Sequence, residues 1–300
     1  MKVKVVATTA IPQATLGARN PMTFVTVEVL ARTSSGSSQG TFPMSTCVMK
    51  SRTIGLGKIE KGERMIRIFN ENCLDLVGSQ DFEDLTKGRK VCIVTDPPFN
   101  VGYKYNEYKD NMEDDEYYSF LGDILTTHGF PFVVIHYPEA IYKISFQTGL
   151  FPERVVSWVY NSNTARQHRD VAFFGIKPDF NLIRQPYKNP SDKRIAARIA
   201  NGEEGSRLYD WWEVNQTKNV SKVRGGVTHP CVMPTEVMRR IVGILPSDCV
   251  IFDPFMGSGT TGIACRILGR DFIGCEIDET YFEEARKRLE EPMSEQMQLF

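Results

Sequence analysis

"CVIFDPFMGSGTTGIACRILG", residues 249–269, runs from an apolar stretch through three close-set glycines into a second apolar stretch with helical spacing. The near-continuous apolar run closed by Asp253 reads as a strand buried on both faces. "TTGIACRILG" reads as a helix that Gly269 ends. Between them Gly257, Gly259 and Gly262 spell G-x-G-x-x-G. Glycines there let the backbone turn tightly and approach a ligand. The next apolar run, "DFIGCEID" (271–278), carries Glu276 near its end, where a carboxylate accepts hydrogen bonds from a ribose diol. The pattern specifies a nucleoside-type cofactor without saying which, because a nicotinamide enzyme would place its acid at nearly the same offset. The Gly-Lys-Ser/Thr of a phosphate-cradling loop is missing.

Working outward, the same alternation fills most of the chain. "MIRIFN" (65–70), "KVCIVTD" (90–96), "FVVIHYP" (132–138), "RVVSWVYN" (154–161) and "DVAFFGIK" (170–177) read as strands. "CLDLVGSQ" (73–80), "EDDEYYSFLGDILTTHG" (113–129), "PTEVMRRIVGIL" (234–245) and "ETYFEEARKRLEE" (279–291) read as helices. Strands alternating with helices predict an α/β fold, a doubly wound and mostly parallel sheet with ligands at the carboxyl ends of its strands. Residues 1–64 read as a partly flexible N-terminal extension, with a strand-like "TFVTVEVLA" (23–31) and a Ser/Gly-rich "RTSSGSSQGTF" (32–42). Residues 65–292 form the main domain, 181–228 a polar, basic and irregular insertion within it, and 293–300 a tail.

Composition is that of an ordinary soluble domain: 300 residues, 41% hydrophobic and 24% charged. No apolar run reaches the roughly eighteen residues of a membrane span, and the start lacks the apolar core of a secretory signal. The seven cysteines are scattered and never form Cys-x-x-Cys, which argues against a zinc site or a disulfide framework and fits a reducing cytoplasm. No metal is expected. A net charge of −1 gives no general affinity for a polyanion, but residues 177–228 carry ten Lys/Arg against six Asp/Glu. Any nucleic-acid contact is therefore local.

"VCIVTDPPFNVGY" (91–103) decides between cofactors. Asp96 ends a second buried strand, so on one parallel sheet it shares a rim with the Gly257–Gly259 turn. The exocyclic amine of adenine or cytosine is a poor nucleophile because its lone pair is delocalised into the ring. Acceptors on both its N–H bonds, the Asp96 carboxylate and a backbone carbonyl such as that of Pro97, draw the nitrogen toward tetrahedral geometry. Pro97 and Pro98 stiffen the corner without adding donors, and Phe99 offers a face for a base taken out of the duplex.

With those residues in place, the chain resembles the permuted "beta" group of DNA amino-methyltransferases, in which an Asp-Pro-Pro-Tyr/Phe motif precedes a Phe-x-Gly-x-Gly motif. The similarity spans about 65–290 and includes "IFNENCLDLV", "WVYNSNTARQHRDVAFFGIKPDF" and "KNVSKVRGGVTHPCVMPTEVMRRIV". The resemblance implies S-adenosyl-L-methionine as cofactor and a catalytic set of Asp96, Pro97, Pro98 and Phe99. It implies cofactor contacts from Asp253, Phe255, Gly257, Gly259, Thr260 and Glu276, with His229 and Pro230 lining the methionine end and Asn72 near the adenine. Two positions depart from the pattern. Asn72 stands where the family often has Asp, keeping a hydrogen-bonding group without its charge, and Phe99 lacks the hydroxyl of the usual Tyr.

The implied partner is double-stranded DNA with its target base flipped out, in a bacterial or phage-infected cell and in the setting of restriction-modification. Asp rather than Ser at position 96 implies adenine N6 as the acceptor. Cytosine N4, and an idle methyltransferase fold that only binds DNA, stay open as alternatives, as do a monomer and a homodimer. In the insertion, Lys188, Lys193, Arg194, Arg198, Lys218, Lys222 and Arg224 are candidates for phosphate contact, interleaved with Tyr187, Tyr209, Trp211 and Trp212. Inward packing suits the two tryptophans better than base contact. "YKYNEYKDN" (103–111) reads as a mobile lid.

Overall fold

In chain order the strands are β1 (Arg52–Gly55), β2 (Ile66–Asn70), β3 (Lys90–Thr95), β4 (Phe132–His136), β5 (Pro152–Val159), β6 (His168–Phe174), β7 (Arg184–Gln185), β8 (Ser206–Arg207), β9 (Trp211–Glu213), β10 (Cys249–Asp253) and β11 (Phe272–Glu276). The structure is a computed structural model that describes residues 52–55, 64–103, 110–217 and 232–292. Nine strands join one sheet in the order β1-β2-β11-β10-β3-β4-β6-β5-β9, and β7 and β8 pair separately. From β2 to β4 all neighbours run parallel, whereas β1 and β6 run against them.

Every residue of β4 and β10, and all of β3 after Lys90, is buried. That is why these segments read as unbroken apolar runs: alternate side chains feed the two faces of the sheet, and helices cover both. Cys92 and Val94 of β3 pack on one face with Val237, Ile241, Ile263 and Phe282 from three helices (Thr235–Gly243, Thr260–Ile267 and Glu279–Glu290). Val91 and Ile93 pack on the other with Leu76, Phe82, Leu121 and Ile144. The expected doubly wound sheet is therefore what forms.

The connection from β10 leads to β11 on one side, and that from β3 leads to β4 on the other. The two strands are parallel neighbours with Phe252 level with Ile93. The winding reverses between them, which opens a crevice at their carboxyl ends.

Several elements differ from the sequence reading. A helix, Pro138–Thr148, takes the last residue of the stretch read as a strand, 132–138, and fills the stretch after it, to which no element was given; its start carries Pro138 and Glu139, and Gly149 ends it at φ 68°. "CLDLVGSQ" covers a five-residue helix, Cys73–Val77, and the cap of a second, Gln80–Thr86. The insertion is less irregular than expected. It holds the helix Lys193–Ala200, and its β9 runs parallel to β5, extending the main sheet. β1, inside the stretch read as an extension, pairs with β2. The strand-like 23–31 and the tail 293–300 lie outside the described residues. All described residues fall within one unit, Met49–Phe300.

Candidate active site

At the crevice a cavity of about 420 Å³ is lined by residues from both sequence motifs. Asn72, Asp96, Pro97, Pro98, Phe99, Asp253, Phe255, Gly257, Thr260 and Glu276 all reach it. Gly259 does not reach it. Gly259, at φ 78°, lies against Ala285, where an added Cβ would come within 3.0 Å of the Ala285 Cβ. Its role in the geometry is close helix packing behind the turn. His229 and Pro230 lie outside the described residues.

The turn is held by two carboxylates. Glu276 Oε2 accepts from the Gly257 N–H at 2.9 Å and Oε1 from the Asp278 N–H at 3.0 Å, so the end of β11 clamps the glycine turn after β10. Burial pushes its pKa up to about 7, and the two backbone donors act against that rise. Asp253, 2% exposed, reaches three ways. Oδ1 accepts from the Thr95 hydroxyl at 2.8 Å and from the Phe255 N–H at 3.1 Å, and Oδ2 from the Thr261 hydroxyl at 2.5 Å. Burial raises it to about 6 against those donors. Thr95 immediately precedes Asp96, so this carboxylate fastens the glycine turn to the acid-proline-proline corner.

At the corner, the Asp96 side chain is 21% exposed, yet its Oδ1 is buried and has no hydrogen-bond partner among the described residues. Oδ2 lies 3.6 Å from Arg169 Nη1, an ion pair longer than a hydrogen bond. Burial drives its pKa up to about 7, with Arg169 opposing and Asp253 adding to the rise. A buried acceptor without a donor costs free energy and persists where a ligand donor completes it.

Phe99 stacks on His136, with centroids 4.4 Å apart and planes 27° apart, and meets the edge of Tyr137 at 5.0 Å. His136 ends β4, 1% exposed, and burial followed by the charges of Arg169 and Arg166 lowers its pKa to about 3. Its Nδ1 accepts from the Tyr137 N–H at 2.8 Å, which leaves the proton of the neutral ring on Nε2. Nε2 then donates to the Tyr117 hydroxyl at 3.0 Å, and that hydroxyl donates to the Pro98 carbonyl at 2.6 Å. The chain His136–Tyr117–Pro98 thus fixes both the ring of Phe99 and the peptide before it. After the corner, Asn100 at φ 54° exchanges hydrogen bonds of 2.8 Å with Met112. The buried Asp110 carboxylate accepts from Asn100, Val101 and Tyr103 N–H groups at 2.7–3.0 Å. These bonds close the base of the segment read as a lid; its residues 104–109 lie outside the described residues.

Sequence reasoning missed His136, Tyr117, Asp110 and Arg169. His136 had one usable signal, its place at the carboxyl end of a buried strand on the same rim as Asp96. Tyr117 and Arg169 converge from a helix and from β6, with no local pattern to mark them. Phe173 and Phe174 are buried in the core, not on the cavity. In the insertion, Trp212 is buried and bonds the Tyr209 carbonyl at 2.8 Å, whereas Trp211 is half exposed with Lys188 Nζ 4.7 Å above its ring. Inward packing therefore holds for Trp212 alone. Arg198 is paired with Glu203 at 2.7 Å, while Arg194 stands almost fully exposed. Lys218, Lys222 and Arg224 lie outside the described residues.

Among the described residues no cluster of His, Cys, Asp and Glu could hold a metal ion, and no helix is long and apolar enough to cross a membrane.

A family model described as DNA methylase, of the N6/N4 type, matches residues 91–287. The type II methyltransferase M.HpaI of Haemophilus parainfluenzae is 30% identical over 220 residues, covering 66% of this chain and 67% of that one. The type II methyltransferase M.ScaI of Streptomyces caespitosus is 29% identical over 268 residues, covering 78% and 84%. Among solved structures, a PvuII DNA methyltransferase titled cytosine-N4-specific shares the fold at 18% identity, with a TM-score of 0.53 and 77% and 88% coverage. Two sequence motifs brought together on one rim, in a chain matched by this model across both, make the protein a member of the N6/N4 family of DNA methylases, whose methyl donor is S-adenosyl-L-methionine.

Proposed function

We propose that the protein methylates the N6 amine of adenine at a specific DNA site. The observation that carries methylation of an amine is the buried Oδ1 of Asp96, without a hydrogen-bond partner among the described residues, facing one cavity with Phe99 and with the Glu276-clamped glycine turn; Asp rather than Ser at position 96 turns the choice toward adenine. The residues fit the cofactor. Glu276 offers a carboxylate beside a glycine turn, and Phe255 and Asn72 line the same cavity. Glu276 would take the ribose hydroxyls, Gly257 and Thr260 the close approach along the turn, Phe255 an apolar face and Asn72 the adenine edge. Asp253 supports that turn from behind.

S-adenosyl-L-methionine supplies, when bound, an electrophilic methyl group. Asp96 Oδ1 accepts one N–H of the target amine and the Pro97 carbonyl the other, while Phe99 stacks on the ring. With a pKa near 7, Asp96 is matched to receiving the proton that the amine releases as it gains the methyl group. Transfer would be direct, with no covalent bond to the enzyme and the amine's proton passing to Asp96. The flipped base belongs to double-stranded DNA that the basic residues of the insertion contact at its phosphates, with 65–292 as catalytic domain and 181–228 as its recognition part.

Mass spectrometry of nucleosides from DNA treated with the protein tests this: N6-methyladenine is expected, and N4-methylcytosine would overturn the choice of base. Failure of any tritium transfer from labelled cofactor to DNA would overturn the activity itself.

Glu276 gives a second test, through pH. Its folded pKa is about 7 against an ordinary 4.5, so between those values the folded protein keeps a proton that the unfolded chain has released. Stability without cofactor therefore falls as pH rises through that window. Glu276→Gln should flatten part of this fall in a thermal-denaturation series from pH 5 to 8. Ribose hydroxyls donate best to the carboxylate, so cofactor affinity should rise over the same window in the wild type and not in Glu276→Gln. A wild-type affinity independent of pH would remove Glu276 from the ribose contact.

A further inference from the structure

The face of Phe99 that the reading above gives to the target base already has an occupant. Arg169 sits on β6, its side chain 14% exposed, with Cζ 4.5 Å over the centroid of Phe99. The same guanidinium faces Asp96 Oδ2 at 3.6 Å. Phe99 and Arg169 both line the cavity, whereas His136, stacked on Phe99, is buried behind it. The guanidinium thus covers the cavity side of the ring. It is flat, delocalised and weakly hydrated, so it stacks on an aromatic face as a base does, and it turns N–H groups toward the acid as an exocyclic amine does. A base cannot take that face while the guanidinium holds it.

We propose that Arg169 is a positioning residue that keeps the target-base slot: without DNA it stacks on Phe99 beside Asp96, and the incoming base displaces it from both. The inference rests on the DNA-methyltransferase reading. The contact with Asp96 is longer than a charge-assisted hydrogen bond, so leaving Asp96 breaks an ion pair, not a short bond; the side chain also hydrogen-bonds Tyr160. Trp158 and Tyr160, whose ring centroids lie 5.5 and 5.9 Å from Cζ, offer the side chain other aromatic faces within its reach.

Such a residue has two effects that a purely structural one lacks. While in place it competes with the base, so removing it strengthens DNA binding. Its charge also opposes the rise that burial gives the Asp96 pKa. The groups facing Asp96 are Arg169 from β6, Asp253 from β10 and the Tyr160 hydroxyl after β5, with neutral His136 behind Phe99. Of these only Arg169 is positive. Without it, burial and Asp253 act unopposed and Asp96 keeps its proton to higher pH.

The test uses the full chain, unmethylated plasmid DNA and tritiated S-adenosyl-L-methionine. For Arg169→Gln the rising limb of kcat/KM for DNA, which reports the enzyme before the base enters, is expected to move up by about one pH unit or more, with the KM for DNA several-fold lower. Arg169→Lys keeps the charge without the planar stack. It should hold the limb near its wild-type position while still lowering the KM. Equilibrium dialysis with the labelled cofactor checks that each variant is folded. An unmoved limb in Arg169→Gln, or a raised KM for DNA in either variant, overturns the proposal; the raised KM would make Arg169 a DNA contact. If Arg169→Gln does not fold, Arg169→Lys decides through the KM alone. A wild type that binds the cofactor but methylates no DNA ends the functional reading and this inference together. An active wild type with unresponsive variants ends this inference alone.

Discussion

Asp96→Ala should bind S-adenosyl-L-methionine as tightly as the wild type and transfer methyl groups at least roughly 10³-fold more slowly. The expectation follows from where the side chain's atoms point. Oδ1 serves no described residue, so its loss breaks no hydrogen bond among them, and Oδ2 faces Arg169 in a 3.6 Å ion pair. The residues placed around the cofactor, Asn72 apart, belong to the glycine turn and β11, which Asp253 and Glu276 hold without help from Asp96. What disappears is the acceptor aimed at the reacting amine, a contact that strengthens only as the nitrogen becomes tetrahedral, and such contacts set the rate rather than the affinity. Asp96→Asn keeps the shape and one oxygen acceptor but loses the charge and the proton-accepting role, so it should fall between, about 10²-fold down. Equilibrium dialysis and tritium transfer measure the two quantities separately. Near-normal turnover in Asp96→Ala would refute the assigned role, and loss of cofactor binding would make the acid structural.

The second large effect is expected at Asp253. Asp253→Ala strands the Thr95 and Thr261 hydroxyls and the Phe255 N–H in a buried setting. Each orphaned donor costs roughly 1–3 kcal/mol, and hydroxyls can turn to other partners, so a loss of about 3–5 kcal/mol is expected for the site. That is a large fraction of the stability of an ordinary domain. The same carboxylate ties the strand end before Asp96 to the glycine turn, so cofactor affinity and turnover should fall with stability. Asp253→Asn retains an acceptor and should lose less. Thermal denaturation beside cofactor binding separates the explanations. If binding vanishes while the melting temperature stays put, Asp253 contacts the cofactor directly and its bracing role is wrong.

Both variants probe residues that the sequence had already marked, and the reason is local. A buried parallel strand shows as an unbroken apolar run, as β3, β4 and β10 do, and a strand-to-helix turn shows as close-set glycines. Each signal lies within a dozen residues. Missed elements also follow from physics. β9 is three residues long and belongs to the sheet only because β5 lies beside it. Lys193–Ala200 buries none of its residues, so no apolar stripe anchored it to a core. Pro138–Thr148 did carry a proline start and a glycine stop, but the apolar run of β4 leads straight into it and masked the change of period.

By itself, the sequence determined the α/β class, the acid at each of three strand ends and the glycine turn, because each depends on residues adjacent along the chain. Only the tertiary structure decided what those residues face. The neutral His136 under Phe99, Tyr117 on the Pro98 carbonyl, Asp253 bridging two motifs 158 positions apart and Arg169 over the aromatic ring are all meetings across the sheet. Such contacts are set by strand order and register, which a linear pattern of polar and apolar residues does not encode, and so the site's electrostatics become legible only once the strands stand side by side.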